Sequence, residues 1–270
     1  MATISVPAAQ TDVLLGTPRA HALDRWIFVV MAVWFILITL TGFIPDSLMK
    51  IEMVRLGMRP PFPPVLHMHA VLMGSFLLFL LSQTLLVATG RVALHRRVGP
   101  IGALLAIALV IVGFVLVPTI YRSVWGAAHF GPPPVQEAMS AFLPNLENIA
   151  LLQFRIGFLF PILLFLGLRA RVRDSGFHKR MMIIAPAVAL PAAFDRITWI
   201  PHTLPASPLS PDLYVLLALA PMFAWDVIRN RRVHRAYLVF LAVALPFTIA
   251  VHALWDTPWW HATVPRIMGV

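Results

Sequence analysis

Apolar runs of about 20 residues recur from end to end of this 270-residue chain, and a helix needs about that many to cross ~30 Å of hydrocarbon. A backbone in lipid must satisfy its own N–H and C=O groups, which leaves helices or a closed barrel, and runs this uniformly apolar suit helices. They fall at 25–45, 66–89, 98–119, 149–170, 180–200, 212–229 and 235–255. The expected fold is an all-α polytopic bundle of about seven transmembrane helices. Composition agrees: 60% of residues are hydrophobic and 12% charged, about half the charged share of a soluble domain.

Three units are expected: a cytoplasmic N-terminal segment 1–24, the bundle 25–256, and a short outer tail 257–270. Residues 1–24 carry Asp12, Arg19, His21 and Asp24 and no apolar core, so the first run reads as a retained anchor. Between the runs, the longest connection spans 120–148, broken by Phe130-Gly131-Pro132-Pro133-Pro134, with a short amphipathic stretch over Val135–Leu146.

The formal charge of +10 sits mainly in short loops, where it sets topology rather than binding nucleic acid. Arg91, Arg96 and Arg97, then Arg169, Arg171, Arg173, Lys179 and Arg180, then Arg229, Arg231 and Arg232 fall in alternate loops. The positive-inside rule turns these loops and the N-terminus toward the cytoplasm of a bacterial inner membrane. The loop at 46–65 opposes this with three basic residues of its own, Lys50, Arg55 and Arg59.

Cysteine is absent, which removes thiolate metal sites, iron–sulfur clusters and thioether-linked haem. Ten histidines are then the main chemical resource. Polar groups within spans are costly, so each asks for a reason. Toward the outer side lie His67, His69, Gln153, Arg155, Asp195, Arg196, His202, His252 and Asp256, drawn from several spans to one depth. His67 and His69 differ by about 200° around a helix, so one of them faces the bundle. His67 shares its face with Gly74, and His252 shares one with Asp256, whose carboxylate is placed to orient the imidazole. This set reads as a metal or acid–base centre, with Asp195, Arg196 and Arg155 as catalytic candidates and His69, His202 and His252 as metal ligands. Met68 and Met73 beside the histidines add a copper alternative to zinc.

At the cytoplasmic side, His95 and His178 each precede two cations at the start of a span. Two imidazoles suffice as axial ligands of a b-type haem, and the cations would meet its propionates. An outer His67 or His69 with His202 or His252 would make a second site, and two such sites would carry electrons across the membrane.

The blocks Leu66-His67-Met68-His69, Leu94-His95-Arg96-Arg97-Val98-Gly99 and His178-Lys179-Arg180-Met181-Met182 resemble those of a broad family of bacterial polytopic membrane proteins, mostly over 60–200. That resemblance implies the helical fold and favours His69, His95 and His178, and it implies no reaction. A more distant likeness is to ascorbate-reducing diheme cytochromes b, which also carry histidines at opposite ends of core helices. The adiponectin-receptor and alkaline-ceramidase group is similar in span number and inside N-terminus, but its His-x-x-x-His on the last span is reduced here to His252.

The leading expectation is thus a haem- or metal-binding membrane protein for electron transfer or respiratory assembly, meeting a quinone or redox protein. The second is a membrane-embedded enzyme acting on a lipid or isoprenoid-like substrate. The third is a transporter or packing subunit of a larger complex.

Overall fold

The computed structural model describes residues 12–15 and 20–270, so most of the expected segment 1–24, Arg19 included, lies outside the described residues. After a 3₁₀ turn at Val13–Leu15 come nine helices among the described residues: α1 (Ala22–Arg55), α2 (Pro64–Ala88), α3 (Val92–Phe130), α4 (Pro133–Ala170), α5 (Ser175–Ala187), α6 (Pro191–Phe194), α7 (Leu209–Asn230), α8 (Arg235–Leu254) and α9 (Pro258–Met268). Six of them, α1–α4, α7 and α8, are long and apolar enough to span a bilayer. The protein is a polytopic helical membrane bundle. Below, the near end is the one bearing the N-terminal turn, and the far end is its opposite.

The seventh crossing is broken. The run at 180–200 is expected as one helix, but Pro186 and Pro191 lack N–H donors and cannot continue a regular ladder. The chain instead turns at 188–190 between α5 and α6. Tight bonds from Ala189 N to Pro186 O, Leu190 N to Ala187 O (both 3.1 Å) and Ala193 N to Leu190 O (2.8 Å) keep the backbone satisfied. Non-helical backbone at this depth is tolerated only inside protein. Accordingly Ile183–Val188 is buried without interruption, and α5–α6 is the central element, packed by α1, α4, α7 and α8. It begins at the near end, where Arg180 meets Asp12 and Asp226, and finishes at the far end, where Arg196 meets Asp46 of α1.

One expected connection and the expected tail are helical. The break at 130–134 is a tight turn rather than the middle of a long loop: α3 ends at Phe130, and α4 begins at Pro133, with Pro at a first-turn position where its missing N–H costs nothing. The amphipathic stretch Val135–Leu146 is therefore the first part of α4. At 39 and 38 residues, α3 and α4 are each nearly 60 Å long, about twice the hydrocarbon thickness. The outer tail at 257–270 also folds. Thr257 caps α9 by accepting from Trp260 N (3.2 Å), and Trp260, Val264 and Met268 at i, i+4, i+8 are buried against Tyr121, Leu146 and Leu151. This second, smaller core joins α9 to the α3–α4 hairpin.

Candidate functional site

The near-end histidines are brought together. Gly90, at φ +80°, ends α2 in a left-handed conformation that a side chain would strain, and the turn it makes puts His95 on the first turn of α3. Asp174 caps α5 by accepting from Phe177 N (2.8 Å), which puts His178 on the first turn of that helix. The two imidazoles face each other with ring centres 6.4 Å apart and planes inclined by 65°. His178 Nδ1 lies 3.0 Å from the Gly167 carbonyl. A carbonyl only accepts, so Nδ1 carries the proton and the Nε2 lone pair is left available. Gly167 permits this approach, since a Cβ there would stand 2.8 Å from the Met181 Cβ. His95 comes within hydrogen-bonding reach of the Gln83 backbone of α2. His95 Nδ1 and both amide atoms of Gln83 are buried without a hydrogen-bond partner. Buried polar atoms are nearly always satisfied by protein or ordered water, so the Gln83 amide marks a polar spot beside the two imidazoles.

The flanking cations divide. Arg96 and Arg97 are exposed, and Lys179 lies 6.0 Å above the Phe28 ring. Arg180, expected beside haem propionates, is fully enclosed and committed elsewhere: Asp226 takes Nε at 2.5 Å and Nη2 at 2.7 Å, Asp12 takes Nη1 at 2.7 Å, and the Gly176 carbonyl takes Nη1 at 3.0 Å. Asn230 links the carboxylates, donating to Asp226 at 2.7 Å and Asp12 at 3.2 Å, and it accepts from Val13 N at 2.9 Å. The network fastens the N-terminal turn to α5 and α7.

The far-end residues do not share one pocket. His69 rests on α2, which packs on α1 and α3, whereas His252 belongs to α8, which packs on α4 and α5. His69 is the inward-facing member of its pair: the residue is half-buried, and its Nδ1 is buried without a hydrogen-bond partner. His67 is exposed, edge-on to Phe62 at 6.0 Å, and Gly74 on the same face has open space where a Cβ would stand. No second histidine pair bridges α2 to His202 or His252. Asp195 is exposed beside His202 and Tyr214, and His202 is held by the Ile197 carbonyl at 2.9 Å. Arg196 turns away to Asp46 at 3.2 Å and stacks on Phe43 at 4.6 Å.

One far-end triad does form. Asp212, on the first turn of α7, accepts from the buried Arg155 through one oxygen and stands 2.7 Å from His252 Nε2 through the other. Asp256 does not orient His252, because α8 stops at Leu254 and the chain turns away through a positive φ of 56° at Asp256. That carboxylate meets His261 Nε2 at 3.1 Å and Asn148 at 3.3 Å, and these two hydrogen bonds hold it below the usual carboxylate range. His261 Nδ1 in turn lies 2.6 Å from the buried Glu147, which also accepts from Tyr121 at 2.9 Å. The roles of Asp212, Glu147 and His261 were not signalled by span-end polarity alone; Asp212 follows a proline-rich loop, and Glu147 and His261 fall in segments expected as loop and tail.

Among the described residues no group of three or more His, Asp or Glu side chains is arranged to hold a metal ion. Zinc on His69, His202 and His252 is not supported by that arrangement. Met68, invoked for copper, is half exposed on the outer surface of α2. Comparison with known proteins adds no relative: no family model matches the chain, and no curated protein or solved structure matches it.

Proposed function

We propose that this protein binds one b-type haem between His95 and His178 at the near end of the bundle and serves electron transfer or respiratory assembly. The observation that carries the reading is the facing imidazole pair. A metal–imidazole bond of ~2 Å plus ~1 Å from nitrogen to ring centre, taken twice, separates two axial ligands by about 6 Å, close to the 6.4 Å between these rings. Haem iron draws its other four ligands from the porphyrin, so two protein donors complete it, whereas a structural zinc needs three or four. The oriented His178 supports an occupant there, beside the polar Gln83 amide. Bound haem would supply one-electron chemistry; the chain would supply the axial nitrogens and the exposed Arg96 and Arg97 for an acidic edge. The basic near-end loops favour a bacterial inner membrane with this end in the cytoplasm, exchanging electrons with a quinone or a redox protein.

Protein purified from haem-replete cells is expected to show a Soret band with low-spin, bis-imidazole features. His95→Ala and His178→Ala each abolish it, while His67→Ala, on the exposed face of α2, retains it. A colourless protein that also takes up no haem on titration ends the reading.

A second reading rests on the Arg155–Asp212–His252 arrangement. Arg155 fixes Asp212, and Asp212 fixes the imidazole, the order of parts that prepares a general base. A half-exposed His252 at this depth would meet a lipid or isoprenoid-like substrate directly from the bilayer. Membranes carrying wild-type protein should then differ from His252→Ala membranes in at least one lipid species by mass spectrometry. Identical lipid profiles argue against it.

A further inference from the structure

At the near end, the last turn of α4, the start of α5 and the start of α8 enclose an open groove of about 500 Å3. Its volume lies in the ~300–1,000 Å3 range of ordinary ligand sites. Leu166, Ala170 and Phe177 line it with apolar surface, and Arg169, Arg173 and Arg235 bring three guanidinium groups to it against one carboxylate, Asp174. Arg235 is already engaged, 2.5 Å from Asp174 and 5.1 Å over the Phe177 ring. The guanidinium groups of Arg169 and Arg173 make no hydrogen bond or ion pair among the described residues. A groove that joins apolar lining to two uncommitted cations, at the level where spans leave the hydrocarbon, matches a molecule with an acyl part and an anionic head.

We infer that this groove binds the phosphate of an anionic phospholipid, with Arg169 and Arg173 on the phosphate oxygens and Leu166 and Ala170 against the upper acyl segment. Planar guanidinium forks suit phosphate geometry. Arg235, steadied by Asp174, closes the α8 side. The apolar lining selects a lipid over a free phosphate, which would gain nothing from Leu166 and Ala170. The site uses neither His95 nor His178, so it stands whether or not haem is bound.

The test is thermal unfolding of the delipidated full-length protein in a neutral detergent, with added phosphatidylglycerol, phosphatidylcholine or inorganic phosphate. Phosphatidylglycerol is expected to raise Tm by several degrees, and the other two to leave it unchanged. Arg169→Gln with Arg173→Gln should abolish the shift while keeping the lipid-free Tm, because neither side chain holds the fold together. Arg25→Gln with Arg91→Gln, exposed elsewhere at the same end, should retain it. An equal shift in both double variants, or with phosphatidylcholine, or with inorganic phosphate alone, overturns the inference. Should the Arg169/Arg173 double variant fail to fold, each single variant is expected to halve the shift or more, and an undiminished shift in both overturns it equally.

Discussion

Arg180 has no exposed surface, and a guanidinium moved out of water costs several kcal/mol unless its donors are met. Here Asp226 grips it with both oxygens, Asp12 adds a second carboxylate, and the Gly176 carbonyl takes a further donor bond. Replacing Asp226 by Asn is expected to destabilise the protein by about 3–5 kcal/mol, because it leaves an incompletely matched charge enclosed. Thermal unfolding in detergent reads this, and the paired replacement Arg180→Met with Asp226→Leu should recover much of the loss. Asp12 carries a pH signature. Burial alone would raise its pKa, but hydrogen bonding and attraction from Arg180, helped by Leu14 N, outweigh burial and hold it below the usual carboxylate range. A depressed carboxyl contributes stability that is full above its unfolded value and is lost as pH falls through the folded one. The docking of residues 12–15 should therefore persist through neutral and mildly acidic solution and release only in stronger acid, seen as rising proteolysis ahead of α1. Little of this network is legible in the sequence. Arg180 stands in a run of cations that suits headgroups, and Asp226 and Asn230 stand beside Arg229, Arg231 and Arg232, where the net charge hides one carboxylate turned inward. The His95–His178 pairing was legible, because each histidine opens a span at the same side.

Hydropathy locates a crossing but does not say whether the helix through it is continuous. The 180–200 run is apolar throughout, yet two prolines five residues apart divide it into α5 and α6. The same break explains a glycine one helix away. A Cβ on Gly42 of α1 would lie 2.2 Å from the Ala193 carbonyl oxygen of α6 and 2.8 Å from its carbon. Those are backbone atoms, held by the Ala193 N bond to Leu190 O, and cannot swing aside as a side-chain tip would. Gly42→Ala is thus expected to cost at least the ~1–3 kcal/mol typical of overpacking and to loosen Arg196 from Asp46, whereas Gly113→Ala, facing open space, should be nearly silent. Unfolding midpoints of the two variants measure the contrast. Helix at 120–148 and 258–268 was harder to read, because those stretches lack the long apolar run that marks a span. Their signals are subtler: a proline at the first helical position, a threonine cap at 257, and buried residues spaced by four.

For the whole molecule, the number of crossings followed from the spacing of apolar runs, while the shape did not, because loop composition conceals a helical hairpin. α3 and α4 are longer than the hydrocarbon is thick, and at the far end α9 braces them through Trp260, whose indole N–H donates to the Glu147 carbonyl at 2.7 Å. The near end instead carries Val172, 83% exposed, in the arginine-rich turn between α4 and α5. These two ends make the orientation measurable. The chain has no cysteine, so one introduced thiol is the only thiol present. Val172→Cys marks the near end, and Phe130→Cys, at a position 79% exposed on the hairpin tip, marks the far end. Both positions lie in or beside turns and are largely exposed, Phe130 meeting the Trp125 and His129 rings of its own helix. If the basic loops face the cytoplasm, a membrane-impermeant maleimide applied to intact spheroplasts labels the Phe130→Cys protein and spares the Val172→Cys protein until the membrane is opened. The reverse pattern would turn the molecule over and put the His95–His178 end outside, and with it the side from which a haem at that end would exchange electrons. Labelling of both before opening would instead contradict a bilayer lying between Val172 and Phe130, and with it an odd number of crossings from one marker to the other through α4 alone.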